Sequence, residues 1–372
     1  MKIALVHDFL IEFGGAERVL VELKKIFPKA DVFTAYYDAE SLGIHNEQMK
    51  DWNIITSWAD KIPFLRKLHS PLRFLYPLIW ESFDFSQYDV VISSSNNLSK
   101  GIITKPNTKH ISYIHHPPRY LYYYQTAMEW QKYWPIKIYG HLINHKLRQF
   151  DYLYAQRPDL LIANSEETKS RIAKFYRRDA QVIYPPVTIS KDSKFEIRNS
   201  KSDYYITLSR LARAKHIDLL IRAANQYKFK LKIVGAGRDK DYLKSMAGDT
   251  VEFLGSVSDE ELSSLYKNSK AFLFASQDEE FGMAPVEAMS HGLPVIAYAS
   301  GGLKETVLDS QNGYLYDSLD IDKLGEAVTK LESLSEEKYL QMRKKARHLS
   351  EQYSVENFKK KIMETVDTIH NS

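Results

Sequence analysis

The sequence predicts an α/β chain made of two Rossmann-like domains facing each other across a central cleft. Three observations carry that expectation. Short β-branched or apolar runs alternate with helical stretches along most of the 372 residues, the pattern of parallel sheets covered by helices on both faces. The alternation stops near residue 187 and resumes near residue 204. The length is too great for one ordinary core and suits two.

In chain order, residues 2–7 read as a buried strand, Gly14-Gly15 as a turn and 16–26 as a helix. Strands follow at 32–36, 89–93, 109–114, 159–163 and 180–184, with a helix capped by Ser165 and running to about Tyr176. Tyr184-Pro185-Pro186-Val187 ends regular structure, and the polar stretch 188–203 reads as a linker. Strands are then expected at 204–209, 230–234, 251–254, 271–275 and 294–297. The helices between and after them fall at 217–227, 241–247, 259–267, 283–290 and 322–331. The charged tail is helical with a break at Tyr353-Ser354. The expected domains are 1–187 and 188–354, with a terminal helix at about 355–372 packing back on the first. Ligand-facing loops belong at the carboxyl ends of the strands.

Composition excludes several classes. The chain is 44% hydrophobic and 26% charged, in the globular range, and has no cysteine. Disulfide scaffolds, thiolate metal sites and cysteine nucleophiles are therefore out. A net charge of +4 is too weak a field to suggest nucleic acid. The charge is uneven, net +5 over residues 1–187 and −1 over 188–372, so the first half suits an anionic surface better. The opening residues lack the pattern of a signal peptide, and no apolar run is long enough to span a membrane. A cytoplasmic location is expected.

The sharpest motif is Asp278-Glu279-Glu280-Phe281-Gly282-Met283-Ala284-Pro285-Val286-Glu287. Seven residues separate Glu279 from Glu287, and Gly282 sits at the strand-to-helix turn. A glycine there lets backbone approach a ligand, and a helix start offers free N–H groups. Two carboxylates so placed can each accept hydrogen bonds from sugar hydroxyls. Arg210 and Lys215 follow a strand end five residues apart, a pair of cations suited to a diphosphate. Gly14-Gly15 opens the first helix, either to receive phosphate or simply to turn the chain, and Asp8 precedes it at the strand end. Gly235-Ala236-Gly237 also follows a strand, but Lys240 stands where a dinucleotide fingerprint needs its third glycine. Asp239-Lys-Asp241 and Asp320-Ile-Asp322 read as helix caps rather than metal ligands.

With these residues in view the chain resembles the retaining nucleotide-sugar glycosyltransferases of family four, which have the GT-B fold. The resemblance runs through Leu208-Ser209-Arg210-Leu211 with Lys215, Gly235-Ala236-Gly237, Phe253-Leu254-Gly255, the Glu279–Glu287 motif and Gly301-Gly302 with Glu305. In the first half it rests on Gly14-Gly15-Ala16-Glu17-Arg18 and on the string Tyr113 to Tyr120, which contains His115-His116-Pro117-Pro118. That string, with Tyr184-Pro185-Pro186-Val187, looks most like the mannosyltransferases of bacterial surface-polysaccharide synthesis.

The resemblance implies a role for each position. Glu279 and the N–H groups of Phe281, Gly282 and Met283 would hold donor-sugar hydroxyls, Glu287 the ribose, and Arg210 and Lys215 the leaving diphosphate. Gly14, Gly15, Gly235 and Gly237 would line the substrate, Asp8 would touch acceptor, and His115 or its neighbour His116 would lie beside the donor sugar and phosphate. The implied donor is GDP-mannose, the acceptor a saccharide or lipid-linked glycan, and no metal or other cofactor is called for. An epimerase or phosphorylase of the same fold, or a non-catalytic sugar-nucleotide-binding protein, are the competing readings.

Residues 62–80, IPFLRKLHSPLRFLYPLIW, combine Arg66, Lys67 and Arg73 with aromatic and aliphatic residues and no acid. Prolines at 63, 71 and 77 forbid one continuous helix. The segment reads either as a peripheral contact with an anionic membrane or as a buried connection. Tyr120–Tyr124 with Trp130 and Trp134 would stack on sugars or pack under a loop.

Overall fold

The computed structural model describes residues 1–124, 133–190 and 203–371. They form two compact units, Met1–Pro186 with Val355–Ser372, and Val187–Ser354. The first boundary lies one residue earlier than expected, because Val187 donates its N–H to Tyr353 O at 2.9 Å and so belongs to the second unit. Most of the linker expected at 188–203 lies outside the described residues.

Seven parallel strands form the first sheet: β1 Ile3–His7, β2 Asp31–Thr34, β3 Ile54–Thr56, β4 Val90–Ser95, β5 Lys109–Ile114, β6 Leu160–Ala163 and β7 Gln181–Val182. Their order is β3-β2-β1-β4-β5-β6-β7, so the topology reverses between β1 and β4. β1 is buried along its whole length, as a central parallel strand with both faces covered must be. Helix Gly15–Ile26 packs Val19, Leu20 and Leu23 on the sheet. The terminal helix Val355–His370 lays Phe358, Ile362 and Val366 into the same core. Their i, i+4, i+8 spacing makes one apolar stripe.

The sequence reading overlooked helix Trp134–Tyr154, and its burial pattern says why. The residues it buries are Gly140, Asn144, Leu147, Asp151 and Tyr154, a helical stripe in which most members are small or polar. The side facing solvent instead carries Trp134, Ile136, Ile138, Leu142 and Leu153. A reading that looks for apolar periodicity finds the wrong face.

The second unit holds a six-stranded parallel sheet: β8 Tyr204–Leu208, β9 Lys230–Val234, β10 Val251–Gly255, β11 Phe272–Phe274, β12 Val295–Tyr298 and β13 Gly313–Tyr316. Its order is β10-β9-β8-β11-β12-β13, reversing between β8 and β11. Strand β13 was not expected, since it opens on a glycine. A Cβ on Gly313 would stand 1.9 Å from Val295 O, so close pairing with β12 requires that residue. β3, only three residues long, was also missed. Other element ends move by a residue or two.

Candidate active site

Ligand sites in open parallel sheets form outside the carboxyl ends of the strands where the topology reverses. Each unit gathers polar side chains at that place.

In the second unit the cluster is built on the loops after β8 and β11. Lys215, at the end of the turn Arg213–Lys215, directs Nζ to Glu279 Oε2 at 2.6 Å and to Ser276 Oγ at 3.3 Å. Ser276 also donates to Glu279 Oε2 at 2.7 Å. Burial pushes the Glu279 carboxyl up, but the Lys215 ammonium and the Ser276 hydroxyl outweigh it and hold the group below the usual carboxylate range. Left-handed backbone flanks both members of the pair, at His216 (φ 47°) and Asp278 (φ 55°). Strain of this kind concentrates where a loop must aim a group.

The loop bearing Glu279 is held from behind. Gly302 N–H donates to Glu279 O at 2.8 Å, and a Cβ on Gly301 (φ 60°) would lie 1.9 Å from that same oxygen. Only glycine permits this approach. Gly282 takes a left-handed conformation (φ 86°) at the start of helix Met283–Ser290. Phe281 is buried edge-on against Tyr353, with ring centroids 5.2 Å apart, while Met283 and Glu287 are half-buried. Arg210 is exposed on the loop after β8.

The glycines expected to line substrate also serve packing, and one expected helix cap is not made. Gly235 and Gly237 press on the loop that carries Arg210: added Cβ atoms would meet Ser209 O at 2.1 Å and Leu211 O at 2.3 Å. Close backbone packing thus already accounts for both glycines without a ligand. Asp239 makes no side-chain cap and instead pairs with Arg213 at 3.4 Å, whereas Asp320 does cap, accepting from the N–H groups of Asp322 and Lys323.

In the first unit a cavity of about 420 Å³ opens beyond β1 and β4, lined by His7, Asp8, Glu12, Glu17, His69, Asn96, Asn97, His116 and Arg119, with Phe9, Ile11, Pro118 and Tyr120 supplying apolar surface. Asp8 is 1% exposed. Its carboxylate accepts the N–H groups of Asn96, Asn97 and Ser99 at 2.5, 2.8 and 2.9 Å. Asp8 therefore shapes the 96–99 loop while lining the cavity. Gly14 N–H donates to Glu17 Oε2 at 2.7 Å. Gly15 begins the helix and is exposed.

His115 is buried, and its Nε2 lies 2.8 Å from Ser94 Oγ. His116 is half-buried at the cavity, with Nδ1 2.9 Å from Pro117 O. Sequence reasoning gave no role to His7, Glu17, Ser94 or Ser276. Their signals were position, for His7, Ser94 and Ser276 at or just past the carboxyl end of a buried strand, and for Glu17 its place in the 14–18 string. Within the aromatic run, Tyr122 stacks on Phe175 with centroids 4.0 Å apart and donates to Asp151 at 2.7 Å, so it packs rather than waits for sugar. Trp130 lies outside the described residues.

Comparison with known proteins follows the same division. Residues 13–191 match the family described as Glycosyltransferase Family 4, and residues 189–349 match Glycosyl transferases group 1. An alpha-1,3/1,6-mannosyltransferase (ALG2) of Kluyveromyces lactis is 27% identical over 373 residues, covering 83% of this chain and 71% of that protein. The human GDP-Man:Man(3)GlcNAc(2)-PP-Dol alpha-1,2-mannosyltransferase is 24% identical, covering 99% and 87%. Among solved structures, Anabaena HepE in complex with UDP superposes with a TM-score of 0.73 at 20% identity, covering 99% of this chain and 100% of that one.

Proposed function

Because the chain belongs to the group 1/family 4 glycosyltransferases of GT-B fold, we propose that it transfers mannose from GDP-mannose, with retention, to a saccharide or lipid-linked glycan. The observation that carries this reading is the Lys215–Glu279–Ser276 cluster at the topological reversal of the second sheet. Glu279 offers a carboxylate to donor-sugar hydroxyls. Lys215 has three N–H donors, and the one beyond its bonds to Glu279 and Ser276 serves the departing diphosphate together with Arg210. The mannosyl part rests on relatives whose names specify mannosyltransferases over most of the chain. Attack from the leaving-group side, with the diphosphate taking the acceptor's proton, is the route the family resemblance implies. The cavity of the first unit, with carboxylates, amides and aromatic faces, suits a saccharide acceptor.

The test is release of nucleoside diphosphate from a panel of nucleotide sugars, with and without glycan acceptors. Acceptor-dependent release of GDP from GDP-mannose, undiminished by excess EDTA, is expected, because Arg210 and Lys215 take the place of a metal at the diphosphate. Preference for a uridine donor would overturn the donor assignment, and loss of activity in EDTA restored by magnesium would overturn the metal-free one. Conversion of the donor into another nucleotide sugar without any acceptor would favour an epimerase, and binding without release a non-catalytic sugar-nucleotide-binding protein.

We also place the protein peripherally at an anionic membrane surface. Residues 62–80 divide in two: Tyr76, Pro77, Ile79 and Trp80 are buried, while Phe64 and Leu78 are 74% and 59% exposed. Tyr139 Oη donates to Pro71 O, and Arg73 Nε donates to Asn144 Oδ1 at 3.1 Å, so helix Trp134–Tyr154 adjoins this segment. Its Trp134, 74% exposed, and Leu142 extend the apolar surface, and Lys61, Lys67 and Lys137 are exposed around it. No helix among the described residues is long and apolar enough to cross a membrane. Arg66 and Arg73 are held by Tyr37 O and Asn144, so the informative variants are Lys61→Gln/Lys67→Gln/Lys137→Gln and Phe64→Ser/Trp134→Ser. Both should reduce co-sedimentation with phosphatidylglycerol vesicles, the first in a salt-sensitive way. Unchanged sedimentation of both would remove the proposal.

A further inference from the structure

Behind the cavity of the first unit runs a chain of buried side chains that the family resemblance does not assign. Glu17 Oε1 lies 3.0 Å from His7 Nε2. His7 Nδ1 lies 3.1 Å from Ser94 Oγ, and Ser94 Oγ lies 2.8 Å from His115 Nε2. The exposures of His7, Ser94, His115 and Glu17 are 0%, 0%, 6% and 7%. The chain thus starts at two residues that line the cavity, His7 and Glu17, and ends at the imidazole that the sequence motif singled out.

Its polarity follows from donor and acceptor counting. Gly14 N–H can only donate, so Glu17 accepts on Oε2, and a carboxylate accepts on its other oxygen too. His7 must then carry its proton on Nε2, which makes Nδ1 of the neutral ring an acceptor. Ser94 gives its single hydroxyl proton to His7 Nδ1. The Ser94 oxygen therefore receives, and His115 must donate from Nε2. A neutral His115 is then the Nε2–H tautomer.

We propose that Glu17, His7 and Ser94 are positioning residues that hold His115 in its Nε2–H tautomer. Under the glycosyl-transfer reading, on which this consequence rests, a single tautomer fixes what the imidazole can offer substrate. The logic is that of a buried carboxylate fixing the tautomer of a working histidine, here relayed through one more imidazole and a hydroxyl.

The tautomers are measurable without turnover, by 15N NMR of histidine-labelled protein assigned with His7→Gln and His115→Gln. Both rings should show a protonated Nε2 and an unprotonated Nδ1. A protonated Nδ1 on neutral His115 would overturn the proposal, whatever the donor proves to be. Ser94→Ala should release His115 into a mixture of tautomers and lower kcat roughly ten- to a hundredfold, the usual scale for an outer residue that orients a ligating imidazole, with the acceptor KM unchanged. His115 still locked as Nε2–H in Ser94→Ala would show that the chain does not set it. Glu17→Gln, whose amide both donates and accepts, should relax the tautomer at His7 and His115 together. Failure of wild type to use any nucleotide sugar would sink the functional reading while leaving the tautomer measurement intact.

Discussion

Glu279→Ala is expected to lower kcat by about 2.7–4 kcal/mol of transition-state stabilisation, a hundred- to a thousandfold, with the fold intact. The reason is local. Glu279 Oε2 accepts from both Lys215 and Ser276, so the carboxylate is locked in one orientation before substrate arrives, and nothing must reorganise during the reaction. Removing it also unties Lys215, the cation assigned to the diphosphate. Glu279→Gln separates the two effects, since it keeps shape and loses charge. Stability has a matching pH signature. Although burial alone would raise the Glu279 carboxyl, Lys215 holds it below its ordinary value of 4.5. A depressed carboxyl stabilises the fold above that ordinary value, and the contribution is lost as pH falls through the depressed one. Wild type should therefore lose stability on acidification below about 4.5 more steeply than Glu279→Gln. Parallel acid melting curves, or normal turnover in Glu279→Ala, would contradict the assignment.

The largest stability effect is expected in the first unit, at Asp151. Its carboxylate is fully buried and lies 2.5 Å from Lys100 Nζ, itself 1% exposed. Tyr122 donates to its other oxygen at 2.7 Å, and Lys100 also donates to Asn97 O at 2.5 Å. Asp151→Ala leaves a buried ammonium with its counter-charge gone, which costs about 3–5 kcal/mol. At a few degrees per kcal/mol for a unit of this size, the melting temperature should fall by roughly 10 °C. Lys100→Met/Asp151→Leu should recover most of that loss, because no charge is then stranded. A double variant no more stable than Asp151→Ala would mean that the pair does more than neutralise itself. This pair ties helix Trp134–Tyr154 to the same 96–101 loop that Asp8 shapes, so weakening it should also loosen the cavity wall.

How far the sequence could be read differs between the two halves for a physical reason. Alternation of apolar runs and helical stretches determined two parallel sheets, because a strand buried on both faces has to be largely apolar, as residues 3–6 are. The Glu279–Glu287 motif and Lys215 were legible because each lies in a short stretch of chain just after a strand. What the sequence left undecided depends on residues far apart in the chain. His7 and Ser94 meet across 87 positions, Ser94 and His115 across 21, and each reads alone as an ordinary polar residue. The same holds for Asp8, whose place at a strand end does not reveal that three N–H groups from the 96–99 loop share its carboxylate. Helix Trp134–Tyr154 inverts the usual rule by burying Asn144 and Asp151 and exposing Trp134 and Leu142. Periodicity determines which residues share a face. Only the tertiary structure decides which face is inside, because a buried polar group is stable only where a distant partner satisfies it.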